Sequence, residues 1–151
     1  MKFKLFIILS FVFLIIQCKK NNVKDEINSI PITINIDRFD KKFYNIDSFK
    51  LNDLKKEYSY LFPEKFDDIV WVNRRKDSLQ LILKNAIEKK IENFDFIEDE
   101  INYLFKHVKY YFPKTNIPKI VTLINNVDYQ SKIIYLDSLV LISLVTYLGE
   151  N

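Results

Sequence analysis

Ile120-Val121-Thr122-Leu123-Ile124, then Lys132-Ile133-Ile134-Tyr135-Leu136, then Leu139-Val140-Leu141-Ile142-Ser143-Leu144-Val145: these three runs decide how the chain is read. Each is short, and apolar and β-branched residues dominate each. Pro118 precedes the first run, Asn125-Asn126 follows it, and Asp137-Ser138 separates the last two. Short apolar runs bounded by such turn formers read as strands. With no long helical pattern between them, they are expected to form a C-terminal β-meander.

Ahead of these runs the apolar period changes to that of a helix. From about Phe96 to Phe112, Ile97, Ile101, Leu104, Phe105 and Val108 share one face, with Asp95 and Glu98 as capping residues and Pro113 as the stop. Leu79, Ile82, Leu83, Ala86, Ile87 and Ile91 form a second stripe. Asp77 with Gln80 has the spacing of a capping box, which predicts a restart near Ser78 after the polar run Asn73 to Ser78. Phe66, Ile69, Val70 and Trp71 open another helical stretch. Leu51, Leu54, Tyr58 and Leu61 make an earlier one, with Asp47 or Ser48 as N-cap and Pro63 as its end. Before all of these, Ile32, Ile34 and Ile36 alternate with Thr33, Asn35 and Asp37 behind Pro31, the pattern of a half-buried strand. One strand, three or four helices and a meander define an α+β fold, in a single domain over residues 30–151. The run Leu139 to Leu148 is nearly all apolar and is expected to be buried on both sides. Only Gly149, Glu150 and Asn151 follow it, so the domain is expected to be incomplete.

The first twenty residues follow other rules. Lys2 and Lys4 make a positive start, Leu5 to Ile16 are apolar except Ser10, and Gln17-Cys18-Lys19-Lys20 close the segment. This is the layout of a secretory signal over residues 1–17. An apolar helix of about twelve residues would reach about 18 Å, short of a hydrocarbon core about 30 Å thick. The chain's one cysteine stands at the end of this run, and a disulfide would need a second. Leu14-Ile15-Ile16-Gln17-Cys18 resembles a bacterial lipobox, which implies cleavage between Gln17 and Cys18 and a diacylglycerol on the Cys18 thiol. Residues 18–29 are then a lipidated tether, with Lys19 and Lys20 at the headgroups of the bilayer.

Removing residues 1–17 takes away Lys2 and Lys4, leaving 21 basic against 20 acidic residues and a charge near +1. The charges are interspersed, which argues against a nucleic-acid partner. His107 is the only histidine, no H-E-x-x-H occurs, and no metal or other cofactor is expected. Glu98-Asp99-Glu100 splay around their helix and suit its N-terminal dipole. No nucleophile elbow is present, and the single glycine, Gly149, rules out a glycine-rich phosphate loop. No catalytic residue is therefore assigned. Trp71 and the tyrosines at 58, 60, 103, 110 and 111 suit either a core or a recognition surface.

A resemblance rests on several blocks in order. They are Arg38-Phe39-Asp40, Tyr58-Ser59-Tyr60-Leu61-Phe62-Pro63, Trp71, Asp77-Ser78-Leu79, Phe105 to Pro113, Val127-Asp128-Tyr129, Asp137-Ser138-Leu139 and Tyr147-Leu148-Gly149. In these the chain resembles the N-terminal half of the gliding-motility lipoprotein GldB family. The resemblance implies a lipoprotein of the cell envelope with no established enzymatic activity and with protein partners in the gliding and secretion apparatus; no run of acids follows Cys18, so the protein is expected to face the periplasm rather than the cell surface. It also implies a second half beyond the Tyr-Leu-Gly block. Family members usually carry an aspartate two residues before that tyrosine, where this chain has Val145. The alternative is a metallopeptidase-like lipoprotein whose catalytic helix lies in the second half.

Overall fold

The computed structural model describes residues 22–125 and 129–149. Six helices lie among them: α1 (Val23–Asn28), α2 (Phe39–Asn45), α3 (Leu51–Glu57), α4 (Asp68–Lys76), α5 (Ser78–Lys90) and α6 (Asp95–Tyr111). Four strands, β1 (Ile36–Asp37), β2 (Lys119–Leu123), β3 (Ile133–Leu136) and β4 (Leu139–Ser143), form one sheet in the order β1-β2-β4-β3. The class is α+β. Among the described residues no helix is long and apolar enough to cross a membrane.

The three C-terminal runs are strands, but they do not form a meander. β3 and β4 make an antiparallel hairpin around Asp137-Ser138, whereas β2 pairs with β4 in parallel, Lys119 opposite Leu139 through Leu123 opposite Ser143. β1 joins the other edge of β2, also in parallel, with Ile36 opposite Ile120. The central position therefore belongs to β2 and β4, the two runs that carry apolar side chains on both faces. Alternation divides those side chains. Ile120, Ile124 and Val140 enter one core with Ile34, Ile36, Ile87, Phe94, Leu144 and Val145; Ile97, Ile101 and Phe105 of α6 pack against it. Val121 enters a second core with Phe39, Phe43, Leu51, Leu54, Tyr58, Phe62 and Trp71, and Leu123, Leu139 and Leu141 pack against that one. Helices thus cover both faces of the sheet, and each fully buried aliphatic side chain such as Ile87 or Val121 contributes about 1.5–3 kcal/mol.

Several local expectations meet physical corrections. The alternation at residues 32–37 is present, but only Ile36–Asp37 pair as strand. The strand expected to run to Val145 ends at Ser143, because residues 144–147 turn into a 3-10 helix that buries Leu144 and Val145. Leu104 is 55% exposed, since α6 presents Ile97, Ile101 and Phe105 to the core and turns Leu104 outward. Leu79 and Ile82 likewise face away from the core that Ile87 enters. The restart at Ser78 is as expected: the Asp77 side chain accepts from Gln80 N at 2.9 Å. The other proposed caps make no such bond. The N-cap of α6 is Phe94, while Asp47 precedes a 3-10 turn at Ser48–Lys50. Part of the expected tether is α1, whose Ile27 is buried.

Candidate functional site

Where β1 leaves the sheet, Arg38-Phe39-Asp40 turns the chain into α2. Phe39 goes into the second core, so the two flanking charges need partners near the sheet edge. Arg38 Nε and Nη2 donate to the two carboxylate oxygens of Asp40 at 2.8 and 2.6 Å. The hydroxyl of Thr122 on β2, itself fully buried, donates to Asp40 Oδ1 at 2.6 Å. The guanidinium lies 4.0 Å from the centroid of the Phe94 ring. Asp40 thereby ties strand exit, helix start and central strand together. A buried carboxylate so paired is costly to strip of one partner, about 3–5 kcal/mol.

Asp37, on the last position of β1, gathers a second group. Its carboxylate lies 2.8 Å from Lys119 Nζ at the start of β2 and 3.0 Å from Lys42 Nζ on α2. Tyr58 Oη donates to Asp37 Oδ2 at 2.7 Å, and Lys42 Nζ donates to that same phenol oxygen. Both ammonium groups also flank the Tyr58 ring, at 5.1 and 4.8 Å from its centroid. Burial works to raise the Asp37 pKa, but the hydrogen bonds from Lys119, Tyr58 and Lys42 outweigh it and hold the carboxyl below its ordinary value. The bond to Tyr58, aided by the Asp37 charge, raises Lys42 despite partial burial. Burial, with the bond to Asp37, raises Tyr58. Every one of these shifts runs away from neutrality, whereas an acid or base catalyst works best with a pKa near the working pH. The cluster is thus a locked network of ionised groups around a neutral phenol.

On the same core, Phe39, Phe43, Leu61, Phe62, Pro63, Phe66, Trp71, Leu123 and Ile124 line a cavity of about 250 Å³, with Arg74 and Asn125 as its polar members. Phe62 meets Trp71 edge to face at 4.9 Å, and Phe66 does so at 5.9 Å. Arg74 Nη2 donates to Ile124 O at 3.4 Å, and Asn125 Oδ1 accepts from Ser143 Oγ.

The residues singled out in the sequence have separate fates. Gln17 and Cys18 lie outside the described residues. His107 bonds Tyr103 O through Nδ1 at 2.9 Å and packs its ring on Tyr103 at 4.3 Å. Among the described residues no group of three His, Cys, Asp or Glu side chains is placed to hold a metal ion. Glu98 does not cap its own helix; its Oε1 accepts from Ile36 N at 2.9 Å. Of the aromatic set, Tyr58 and Trp71 are core, while Tyr60, Tyr103 and Tyr111 are exposed. Val145, where the resemblance led to the expectation of an aspartate, is buried in the first core. Gly149 has φ +79°, a left-handed turn that suits the chain's one glycine. Sequence reasoning missed Asp37, Lys42 and Lys119. The available signal was the strand-ending position of Asp37 just before Arg38-Phe39-Asp40.

The blocks that carried the resemblance thus converge: Arg38, Asp40 and Tyr58 on the two polar networks, Phe62 and Trp71 on the cavity. The model of the family described as gliding motility protein GldB matches residues 20–151. The chain belongs to the GldB family. No curated protein and no solved structure is detectably similar to it. As a GldB-family protein, it is tied by that membership to gliding motility and to the cell envelope.

Proposed function

We propose that this GldB-family chain is a lipid-anchored, non-catalytic accessory of the gliding and protein-secretion machinery. Diacylglycerol on Cys18 anchors it to a membrane, and its folded part faces the periplasm, where it contacts protein partners in that machinery. The observation that carries this reading is the junction at the start of the chain. The match to the gliding-motility family begins at residue 20, two positions after a lone cysteine that ends a short apolar run behind Lys2 and Lys4. Two acyl chains on one thiol give stable attachment where a single chain gives only marginal binding. The Asp37–Lys42–Tyr58 network supports an accessory role, because none of its groups is tuned toward neutral pH. Cells fed labelled palmitate should label the protein, and Cys18→Ser should lose both the label and membrane retention. A cysteine-free variant that still takes up label would sink the reading.

A further inference from the structure

The N-terminal segment does not leave the fold at random; it is laid along α6. Four side chains of that helix, at intervals of four residues, hold the chain in reverse order. Glu98 Oε1 accepts from Ile36 N at 2.9 Å, and Asn102 Oδ1 accepts from Ile34 N at 2.6 Å. Lys106 Nζ donates to Asn28 O at 3.1 Å, and Tyr110 Oη donates to Glu26 Oε2 at 2.9 Å. Residues four apart share a helix face, so these contacts form a rail along one side of α6. Followed toward lower residue numbers, the chain climbs to the C-terminal end of the helix, and α1 is seated there by buried Ile27.

We infer that the C-terminal end of α6 and the turn after it form the face of this protein that rests on the leaflet holding the Cys18 lipid. The inference rests on the lipidation proposed above. Asn22 is four residues from Cys18, and four residues span at most about 14 Å when fully extended. The anchor can therefore lie no farther than about 14 Å from the start of α1, the helix whose Glu26 meets Tyr110 near the C-terminal end of α6. The side chains of this region suit an interface: Tyr111 is 61% and Phe112 65% exposed, Val23 at the start of α1 is exposed, and Lys24 and Lys114 are exposed cations. Tyr111, Phe112, Pro113, Lys114 and Thr115 line a shallow apolar depression. Aromatic rings sit favourably at headgroup level, and lysines there are attracted by anionic lipid. Asp25 and Glu26 are the acids on α1, and Glu26 is engaged by Tyr110.

The full-length lipoprotein, processed in cells, is purified and placed in phosphatidylethanolamine–phosphatidylglycerol vesicles. Acylated Cys18 leaves no free thiol, so Tyr111→Cys, Phe112→Cys and Phe96→Cys each carry one spin label. Phe96 lies 15 residues back along α6, about 22 Å away at 1.5 Å per residue. Labels at 111 and 112 should show a several-fold higher ratio of oxygen to aqueous nickel accessibility than the label at 96. Equal water exposure at all three sites would overturn the inference, as would lipid exposure at 96. Shielding of 111 and 112 from both probes, as by a second copy, would overturn it too. Mass spectrometry of the same samples separates the two readings: a Cys18 without acyl chains defeats the lipid anchor and this face together, whereas acylated protein with water-exposed labels defeats the face alone.

Discussion

Asp37 and Asp40 stand three positions apart and are used differently. Asp40 is enclosed, and its ion pair with Arg38 serves to fix how α2 leaves the sheet. Asp37 sits at the mouth of the sheet, where Lys42 and Lys119 reach it from outside with about half of each side chain still in water. Its lowered pKa has a definite sign in stability. The stabilisation is fully present above the unfolded value of 3.8 and disappears as pH falls through the lower folded value. Lys42 and Tyr58 act at the other end, stabilising below their unfolded values of 10.5 and 10.0 and losing that as pH rises through their raised folded values. Between those limits the network is pH-insensitive. Asp37→Asn should therefore lower the urea midpoint at neutral pH and close the gap to the parent as pH drops below 3.8. A gap that stays constant down to about pH 2.5 would show that the Asp37 charge contributes nothing.

At the scale of elements, the parts legible in the sequence were those whose signal is local. The helix at Ser78 announced itself through Asp77, and the long helix through Ile97, Ile101 and Phe105. α2 escaped notice because Arg38 to Asn45 offers only Phe39 and Phe43 as a helical pair, and it forms because both rings enter an existing core. Strand order was not readable either. Whether β4 joins β2 or merely continues a meander depends on which helices cover each face, a contact between distant segments. The same holds for Glu98, expected as a helix cap, and for Asn102, for which the sequence offered no reading: they accept from the amides of Ile36 and Ile34, along β1 and the extended segment before it. Asn102 accepts from Ile34 N, and its Nδ2 donates to Glu98 O at 2.8 Å and to Ile34 O at 3.3 Å. Asn102→Leu keeps the size but leaves the Ile34 amide unpaired, a cost of about 1–3 kcal/mol. Amide exchange at Ile34 should accelerate in that variant while exchange at Val121 in the central strand follows only the global loss. Unchanged protection at Ile34 would mean that the clamp is dispensable.

For the molecule as a whole, the long apolar run after Asp137 was expected to be covered on both sides, and it packs against both cores, whereas the strand before Asp137 is left open. β4 is central, with Val140, Ser143 and the following Leu144 and Val145 buried. β3 is the outer strand, and Ile133, Ile134, Tyr135 and Leu136 are all exposed, with no charge or proline among them. Its inner backbone groups pair with β4, Ile134 opposite Leu141. An outer strand of this composition is a template for pairing with another chain, the hazard that natural edges blunt with lysine. Ile134→Lys places a charge on this edge at a side chain already 42% exposed, so its cost in stability should stay within about 0.5–1 kcal/mol. Applied to residues 18–151 with Cys18→Ser, it should raise the concentration at which light scattering first appears, with little change in Tm. A variant that scatters at the same concentration as its parent would acquit β3 and point instead to Ile69, Leu79 and Ile82, the most exposed apolar residues of α4 and α5.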